Sequence, residues 1–158
     1  MDPAQTIINV LRGSGIPDPL TLFVVAQARH ETNNFTSSVF NTCNNAFGYK
    51  AVFNALSCTQ SPEGNNYEYY PGGVAESANE IVRYLFRRVN DGSFPPLSTI
   101  TTPEQYAALL KSANYYGDPL TIYSTRLRYW FNQYKTGIIG AGSLMLVVAG
   151  IYLLTKKK

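Results

Sequence analysis

Residues 137–154 form a run of 18 residues without a charge, and this stretch constrains the fold of the chain more than any other. With Thr136 and Thr155 it reaches 20 residues, which as a helix rising about 1.5 Å per residue would span about 30 Å, the thickness of a bilayer core. Tyr134 and Tyr152 lie near its ends, as amphipathic rings do at membrane interfaces. We therefore expect a transmembrane helix, with a buried core helix as the alternative.

The charge of the chain divides at the same place. The 158 residues hold 13 Lys and Arg against 10 Asp and Glu, a formal charge of +3. Residues 1–134 carry nine basic and ten acidic side chains and sum to −1, while Lys135 and the three C-terminal lysines supply the other +4. This distribution argues against nucleic acid as a partner, since the basic excess belongs to the apolar tail. We divide the chain into one globular domain, residues 1–134, and a membrane anchor, residues 135–158.

Basic residues on both sides of the apolar stretch leave its topology open. Three lysines follow it, and Lys135, Arg128 and Arg126 precede it within about 15 residues, so the positive-inside rule gives a near tie. The first residues, Met-Asp-Pro-Ala-Gln-Thr, have neither the basic start nor the apolar run of a secretory signal peptide. We expect a domain made in the cytoplasm and held to a membrane by its tail.

Helix signals dominate residues 1–134 and predict a mainly α domain. Asp18 is the expected N-cap of a helix over residues 19–31, with Pro19 at its first position. That helix is apolar on nearly every side, so we expect it to be central and buried. Further helices are predicted over residues 3–12, 74–89, 102–112 and 119–134, with a loop over residues 33–74 that contains a short hairpin at residues 67–70.

Cys43 and Cys58 enclose about fifteen residues, and the sequence leaves their state open. A disulfide between them would stabilise the fold by about 3 kcal/mol through loop closure. The cysteine spacing fits no zinc pattern and the chain has one histidine, so we expect neither a metal site nor a cofactor.

Glu31 is the leading candidate for chemistry. It ends the apolar helix, where the helix dipole disfavours an anion and apolar neighbours penalise charge. Both effects favour the protonated carboxyl, which is the form that a general acid needs to cleave a glycosidic bond. The alternative on position alone is an ordinary exposed glutamate at a helix end.

Four segments lie in the order found in one enzyme family. They are Gln27-Ala-Arg-His-Glu31-Thr-Asn-Asn-Phe-Thr-Ser-Ser-Val-Phe40, then Asn44-Asn45-Ala46-Phe47-Gly48-Tyr49-Lys50, then Tyr67-Glu-Tyr-Tyr70 with Glu76-Ser77, and finally residues 110–119 with Tyr123. About residues 20–130 thus resemble the glucosaminidases of glycoside hydrolase family 73 and their phage relatives, in the lysozyme-like superfamily. The resemblance implies a lysozyme-like α+β domain with a small hairpin, to which the predicted transmembrane helix is added at the C-terminus.

The same resemblance implies the residues of an active-site cleft. Glu31 matches the catalytic glutamate of the family. The expected substrate-binding residues are those that offer amide or ammonium donors to sugar hydroxyl and acetamido groups, or flat rings to sugar faces: Asn44, Asn45, Phe47, Lys50, Tyr115, Tyr116 and Tyr123. Within this set Phe47, with its neighbour Gly48, is expected to support the cleft structurally.

A second catalytic carboxylate is less well defined. Family members usually carry a further Glu after the Phe-Gly-x-Lys motif, and here that stretch offers Glu63, in a Ser-Pro-Glu-Gly turn, and Glu68, inside the aromatic strand. Both are candidates. A lysozyme-like enzyme also works with one Glu, as lytic transglycosylases do, so hydrolysis and anhydro-product formation both stay open.

We expect a membrane-anchored peptidoglycan hydrolase that cleaves β-1,4 bonds next to N-acetylglucosamine or N-acetylmuramic acid. The alternatives are a lytic transglycosylase and a catalytically inactive lysozyme-like protein with a structural or anchoring role. The expected partners are peptidoglycan glycan strands, a lipid bilayer and other virion or membrane proteins. The expected location is the virion membrane of a lipid-containing phage or a bacterial inner membrane.

Overall fold

A computed structural model of the chain describes residues 1–52, 55–60, 64 and 66–136. The described part is mainly helical with one small antiparallel hairpin, as the sequence predicts, but the hairpin begins at Ser57 and not at residue 67. The helices are α1 (Pro3–Gly13), α2 (Asp18–Glu31), α3 (Ser38–Cys43), α4 (Val74–Asn90), α5 (Pro103–Ser112) and α6 (residues 120–136), with a 3₁₀ turn at Leu97–Thr99. The strands are β1 (Ser57–Gln60) and β2 (Asn66–Glu68), in which Ser57 pairs with Glu68.

Helix α2 lies at the centre of the core. Phe23, Val24 and Val25 are at most 2% exposed, although they point to different sides of the helix. α1 and α5 both pack against α2, and α1 also contacts α4. The all-round apolar character of α2 therefore reflects neighbours on several sides, and its last residue, Glu31, emerges where this buried helix reaches the surface.

The predicted cap of α2 is wrong by one residue. Asp18 is the first residue of the helix and Pro17, in an extended conformation, is the N-cap. The Asp18 carboxylate accepts a hydrogen bond from Arg12 Nε of α1 at 2.8 Å. Asp18 therefore forms an ion pair with α1 and does not serve as the N-cap of α2. An acid in the first turn still interacts favourably with the helix dipole.

The predicted loop over residues 33–74 holds more structure than expected. Ser37 caps α3 by accepting a hydrogen bond from the backbone N–H of Phe40 at 3.2 Å. Cys43, the last residue of α3, forms a disulfide with Cys58 of β1, and their Cα atoms are 5.6 Å apart. The hairpin is thereby fastened to α3, close to the end of α2.

The turn between α5 and α6 follows from its sequence. Asn114 adopts the left-handed conformation with φ 54°, its N–H bonds the carbonyl of Lys111, and the N–H of Tyr115 bonds the carbonyl of Leu110. This is the Schellman arrangement that ends many helices, with asparagine in the position that most often holds glycine. It directs Tyr115 and Tyr116 back toward the end of α2.

Across residues 1–52, 55–60, 64 and 66–136, the structure contains no helix that is both long and apolar enough to cross a bilayer. The predicted transmembrane stretch, residues 137–154, and the lysines that follow it lie outside the described residues.

Candidate active site

Glu31 lies at the junction of two cavities of about 290 and 350 Å³. Glu31, Gly48 and Lys50 line both of them. The first cavity is completed by the aromatic side chains of Phe47, Tyr49, Tyr115 and Tyr116, and the second by Ser37, Val39, Asn45 and Tyr67. The carboxyl group therefore faces a divided cleft with one aromatic side and one more polar side.

The environment of Glu31 keeps a large fraction of its carboxyl protonated up to neutral pH. Burial raises its pKa from 4.5 to about 7. The Tyr123 hydroxyl donates a hydrogen bond to Oε1 at 2.8 Å, which lowers the pKa, and the nearby Asp118 carboxylate raises it. A carboxyl with a pKa near the working pH is suited to give up and regain a proton, so this side chain meets the electrostatic requirement of a general acid.

The two oxygens of Glu31 have different surroundings. Oε1 is occupied by Tyr123, whereas Oε2 faces Gly48, where an added Cβ atom would lie 3.6 Å away. Gly48 has φ +67°, a conformation that glycine adopts without cost. Because Gly48 borders both cavities, its missing side chain leaves Oε2 open to a ligand that passes from one cavity to the other.

Tyr123 is itself held in place. Its ring is 2% exposed and stacks on Tyr116, with the ring centroids 3.6 Å apart and the planes 7° from parallel. The Tyr116 hydroxyl donates to the carbonyl of Ala107 in α5 at 2.9 Å. Tyr115 similarly donates to the carbonyl of Phe47 at 2.7 Å, which ties the turn before α6 to the opposite wall of the cleft.

Comparison of the sequence with models of known protein families gives a match over most of the chain. Residues 4–136 fit the family model described as glucosaminidase, mannosyl-glycoprotein endo-β-N-acetylglucosaminidase. The chain belongs to the glucosaminidase family. It is a glycosidase, and the resemblance to glycoside hydrolase family 73 is confirmed.

Solved structures show the same fold as this glucosaminidase. The glycoside hydrolase domain of FlgJ from Salmonella typhimurium aligns with a TM-score of 0.68 and 19% identity over 92% of each chain. The catalytic domain of the autolysin Auto from Listeria monocytogenes aligns with a TM-score of 0.59 and 20% identity, over 84% of this chain and 80% of that one. Comparison with curated proteins gives no significant match.

The asparagines of the glucosaminidase motif bind backbone. The Asn44 amide donates to the carbonyl of Tyr70 at 2.9 Å. The Asn45 amide donates to the carbonyls of Tyr49 and Glu68, and its Oδ1 accepts from the N–H groups of Phe47 and Tyr49. Asn44 lines neither cavity, and the amide donors expected to face sugar instead hold the hairpin against the loop that carries Gly48.

Lys50 is the one cation that lines the two cavities among the described residues. Its ammonium lies 3.5 Å from the centre of the Tyr67 ring, and the two residues form an isolated antiparallel bridge. This cation–π contact places a positive charge in the wall that the two cavities share. Of the other predicted binding residues, Tyr115, Tyr116 and Phe47 line the first cavity, while Tyr123 acts through Glu31.

The structure does not bring Glu68 to Glu31. Glu68 Oε2 accepts a hydrogen bond from the Tyr70 hydroxyl at 3.0 Å, and the residue lines neither of the two cavities. Glu63 lies outside the described residues. Asp118 was not predicted as a site residue, yet its charge acts on Glu31, and its carboxylate is paired with Arg126 at 2.7 Å. In the described ranges no three His, Cys, Asp or Glu side chains meet as a metal site.

Proposed function

We propose that this glucosaminidase cleaves β-1,4 glycosidic bonds of bacterial peptidoglycan, next to N-acetylglucosamine or N-acetylmuramic acid, with Glu31 as the general acid. The observation that carries the proposal is the position of the Glu31 carboxyl, with its pKa of about 7, at the junction of two cavities. Two similar structures, the glycoside hydrolase domain of FlgJ and the catalytic domain of the autolysin Auto, support a wall polymer as the substrate.

The cleft supports a simple sequence of events. The glycan strand lies with one sugar in the aromatic cavity and the next in the polar cavity, so that the bond between them passes Gly48. Glu31 Oε2 donates its proton to the leaving oxygen while Tyr123 holds Oε1. Positive charge develops on the sugar ring as its bond to the leaving oxygen breaks. A water molecule then bonds to the anomeric carbon and gives its proton to the carboxylate left on Glu31, which restores the acid.

A second candidate function is that of a lytic transglycosylase. Among the described residues Glu31 is the only carboxylate that lines either cavity, which favours a mechanism with a single acid and base. In that mechanism the acetamido group of the substrate assists, the substrate's own hydroxyl bonds to the anomeric carbon and gives its proton to the Glu31 carboxylate, and the product ends in an anhydro sugar. Hydrolysis leaves a reducing end instead.

We also propose that the domain acts at a membrane. The support is the uncharged stretch of residues 137–154 directly after α6, with lysines on both sides. The proposed location is the virion membrane of a lipid-containing phage, and the rival location is a bacterial inner membrane. Recovery of the protein in purified virions supports the first, and recovery only in cell membranes supports the second.

Mass spectrometry of digested sacculi tests the enzymatic proposal. The wild-type chain is expected to release muropeptides, whose ends report the bond and the chemistry, and Glu31→Gln is expected to release none. Glu68→Gln is the matched control, because it removes a carboxylate that lies outside both cavities. Release of muropeptides by Glu31→Gln contradicts the role of Glu31, and binding of wild-type protein without release indicates an inactive structural protein.

A further inference from the structure

Lys111 makes an unusual set of contacts outside the two cavities. It lies in the last turn of α5, and its ammonium donates to the carbonyl oxygens of Gly117 at 3.0 Å and Asp118 at 2.9 Å, with that of Tyr116 at 3.5 Å. The same ammonium is 5.2 Å from the centre of the Tyr116 ring. Three consecutive carbonyls therefore converge on one cation, which can offer each of them an N–H group.

These contacts fix the segment that joins α5 to α6. The Schellman turn at Asn114 sets its start, and the ion pair between Arg126 and Asp118 holds its end. Lys111 binds the carbonyl groups of Tyr116 and Gly117 in the middle of this segment. The Tyr116 ring then has a defined position from which to stack on Tyr123.

We propose that Lys111 is a positioning residue for the glycosidase reaction. Its ammonium holds the backbone of residues 116–118, the Tyr116 ring then fixes the Tyr123 ring, and the Tyr123 hydroxyl orients the carboxyl of Glu31. The inference rests on the proposed role of Glu31 as the acid.

The chemistry of the site explains why a cation suits this position. A positive charge interacts favourably with the carbonyls at the C-terminal end of α5. The bonds from Lys111 to Gly117 and Asp118 are exposed to solvent, so water can replace the donor when it is removed. Loss of the ammonium should therefore leave the fold intact while the segment and its tyrosine lose their fixed position.

The pH profile separates this role from a general structural one. The groups around Glu31 come from every element packed against it: Tyr123 on α6, Asp118, Tyr115 and Tyr116 on the preceding segment, Tyr106 on α5, and Lys50 and Tyr49 in the wall of the first cavity. His30, the neighbour of Glu31 on α2, packs its ring against Tyr123. The charge of Lys111 is not among the causes of the raised pKa of Glu31. A loosened bond from Tyr123 removes an influence that lowers this pKa, and the basic limb of the activity profile then moves to higher pH.

The test uses the full chain in mild detergent with purified sacculi as substrate. Lys111→Met keeps the length of the side chain and removes the charge and donors. We expect kcat to fall about tenfold, with a smaller change in KM, little change in Tm, and a basic limb at higher pH. Lys111→Arg keeps a charged donor and is expected to recover most of the rate. Lys135→Met, which removes an exposed lysine of α6, is the matched control and should match wild type.

A double mutant tests whether Lys111 acts through Tyr123. If Lys111 acts through Tyr123, adding Lys111→Met to Tyr123→Phe produces no further movement of the basic limb. Additive movements overturn the proposal, as does a Lys111→Met enzyme that equals wild type or loses activity with its basic limb unmoved. Should the Met variant fail to fold, Lys111→Gln replaces it with the same expectation. Activity that survives Glu31→Gln is a separate result, because it removes the proposed function whatever the Lys111 variants do.

Discussion

Replacing Glu31 with glutamine should make the protein more stable, and the gain should depend on pH. Burial raises the pKa of Glu31 from 4.5 to about 7, so folding disfavours the ionised carboxylate. Glutamine has nearly the same shape, carries no charge, and retains an oxygen that can accept the Tyr123 hydroxyl. The substitution therefore removes an electrostatic cost without opening a cavity.

The size of the effect follows from linkage. A group whose pKa is raised in the folded state contributes stability that is fully present below its unfolded pKa, here 4.5, and that is lost as the pH rises through about 7. With 1.36 kcal/mol for each pH unit between the two values, the ionised carboxylate costs about 3 kcal/mol at pH 8 and about 2 kcal/mol at pH 6. Near pH 4 this cost is close to zero.

Urea unfolding of wild type and Glu31→Gln at pH 4, 6 and 8 measures this difference. Glu68→Gln serves as the control, and because its carboxylate is not in the cleft its stability difference should not follow the same curve. We expect Glu31→Gln to have a higher free energy of unfolding than wild type, and we expect this difference to grow from pH 4 to pH 8. A difference that stays constant across this range would refute the reasoning, because it would mean that Glu31 ionises at its ordinary pKa.

Three further predictions concern the surroundings of the acid. Tyr123→Phe removes a hydrogen bond to a charged group, typically about 1.5–3 kcal/mol, so the basic limb of the rate profile should move up by about one to two pH units. Gly48→Ala forces a side chain into a left-handed position at a cost of about 1–2 kcal/mol and places a methyl group 3.6 Å from Oε2 of Glu31, on the side from which the proposed substrate oxygen approaches. Kinetics on sacculi should therefore show at least a tenfold loss of kcat/KM. Reduction of the Cys43–Cys58 disulfide should lower the free energy of unfolding by about 3 kcal/mol, measured in urea with and without dithiothreitol.

Local sequence signals were sufficient for the long helices. α5 shows why, since Thr102 and Gln105 form a complete capping box and the apolar spacing continues to its end. α3 and β1 lack such signals. α3 has only six residues, and β1 is Ser-Cys-Thr-Gln, without apolar alternation. Both depend on partners that are distant in sequence, including the disulfide between them, so a local pattern could not predict them.

The residues of the site also differ in whether the neighbouring sequence could predict them. Glu31 could be predicted because its surroundings, the end of an apolar helix, are encoded next to it in the chain. Its partner Tyr123 lies 92 residues away and was indicated only by family resemblance. The backbone contacts of Asn44 and Asn45 could not be predicted, because their amides bind carbonyls more than 20 residues further along the chain. Asn45 also lines the second cavity, and its contact with sugar stays a prediction. An amide in a motif looks the same in sequence whether it binds a sugar or a backbone.

A direct measurement of the ionisation of Glu31 tests the central claim of this account. The ¹³C resonance of the Glu31 side-chain carboxyl, assigned by its loss in Glu31→Gln, can be followed by NMR as a function of pH. We expect a midpoint of about 7 that coincides with the basic limb of kcat/KM on peptidoglycan. A midpoint near 4.5, or an activity profile that does not follow this titration, would contradict the claim that Glu31 is the general acid.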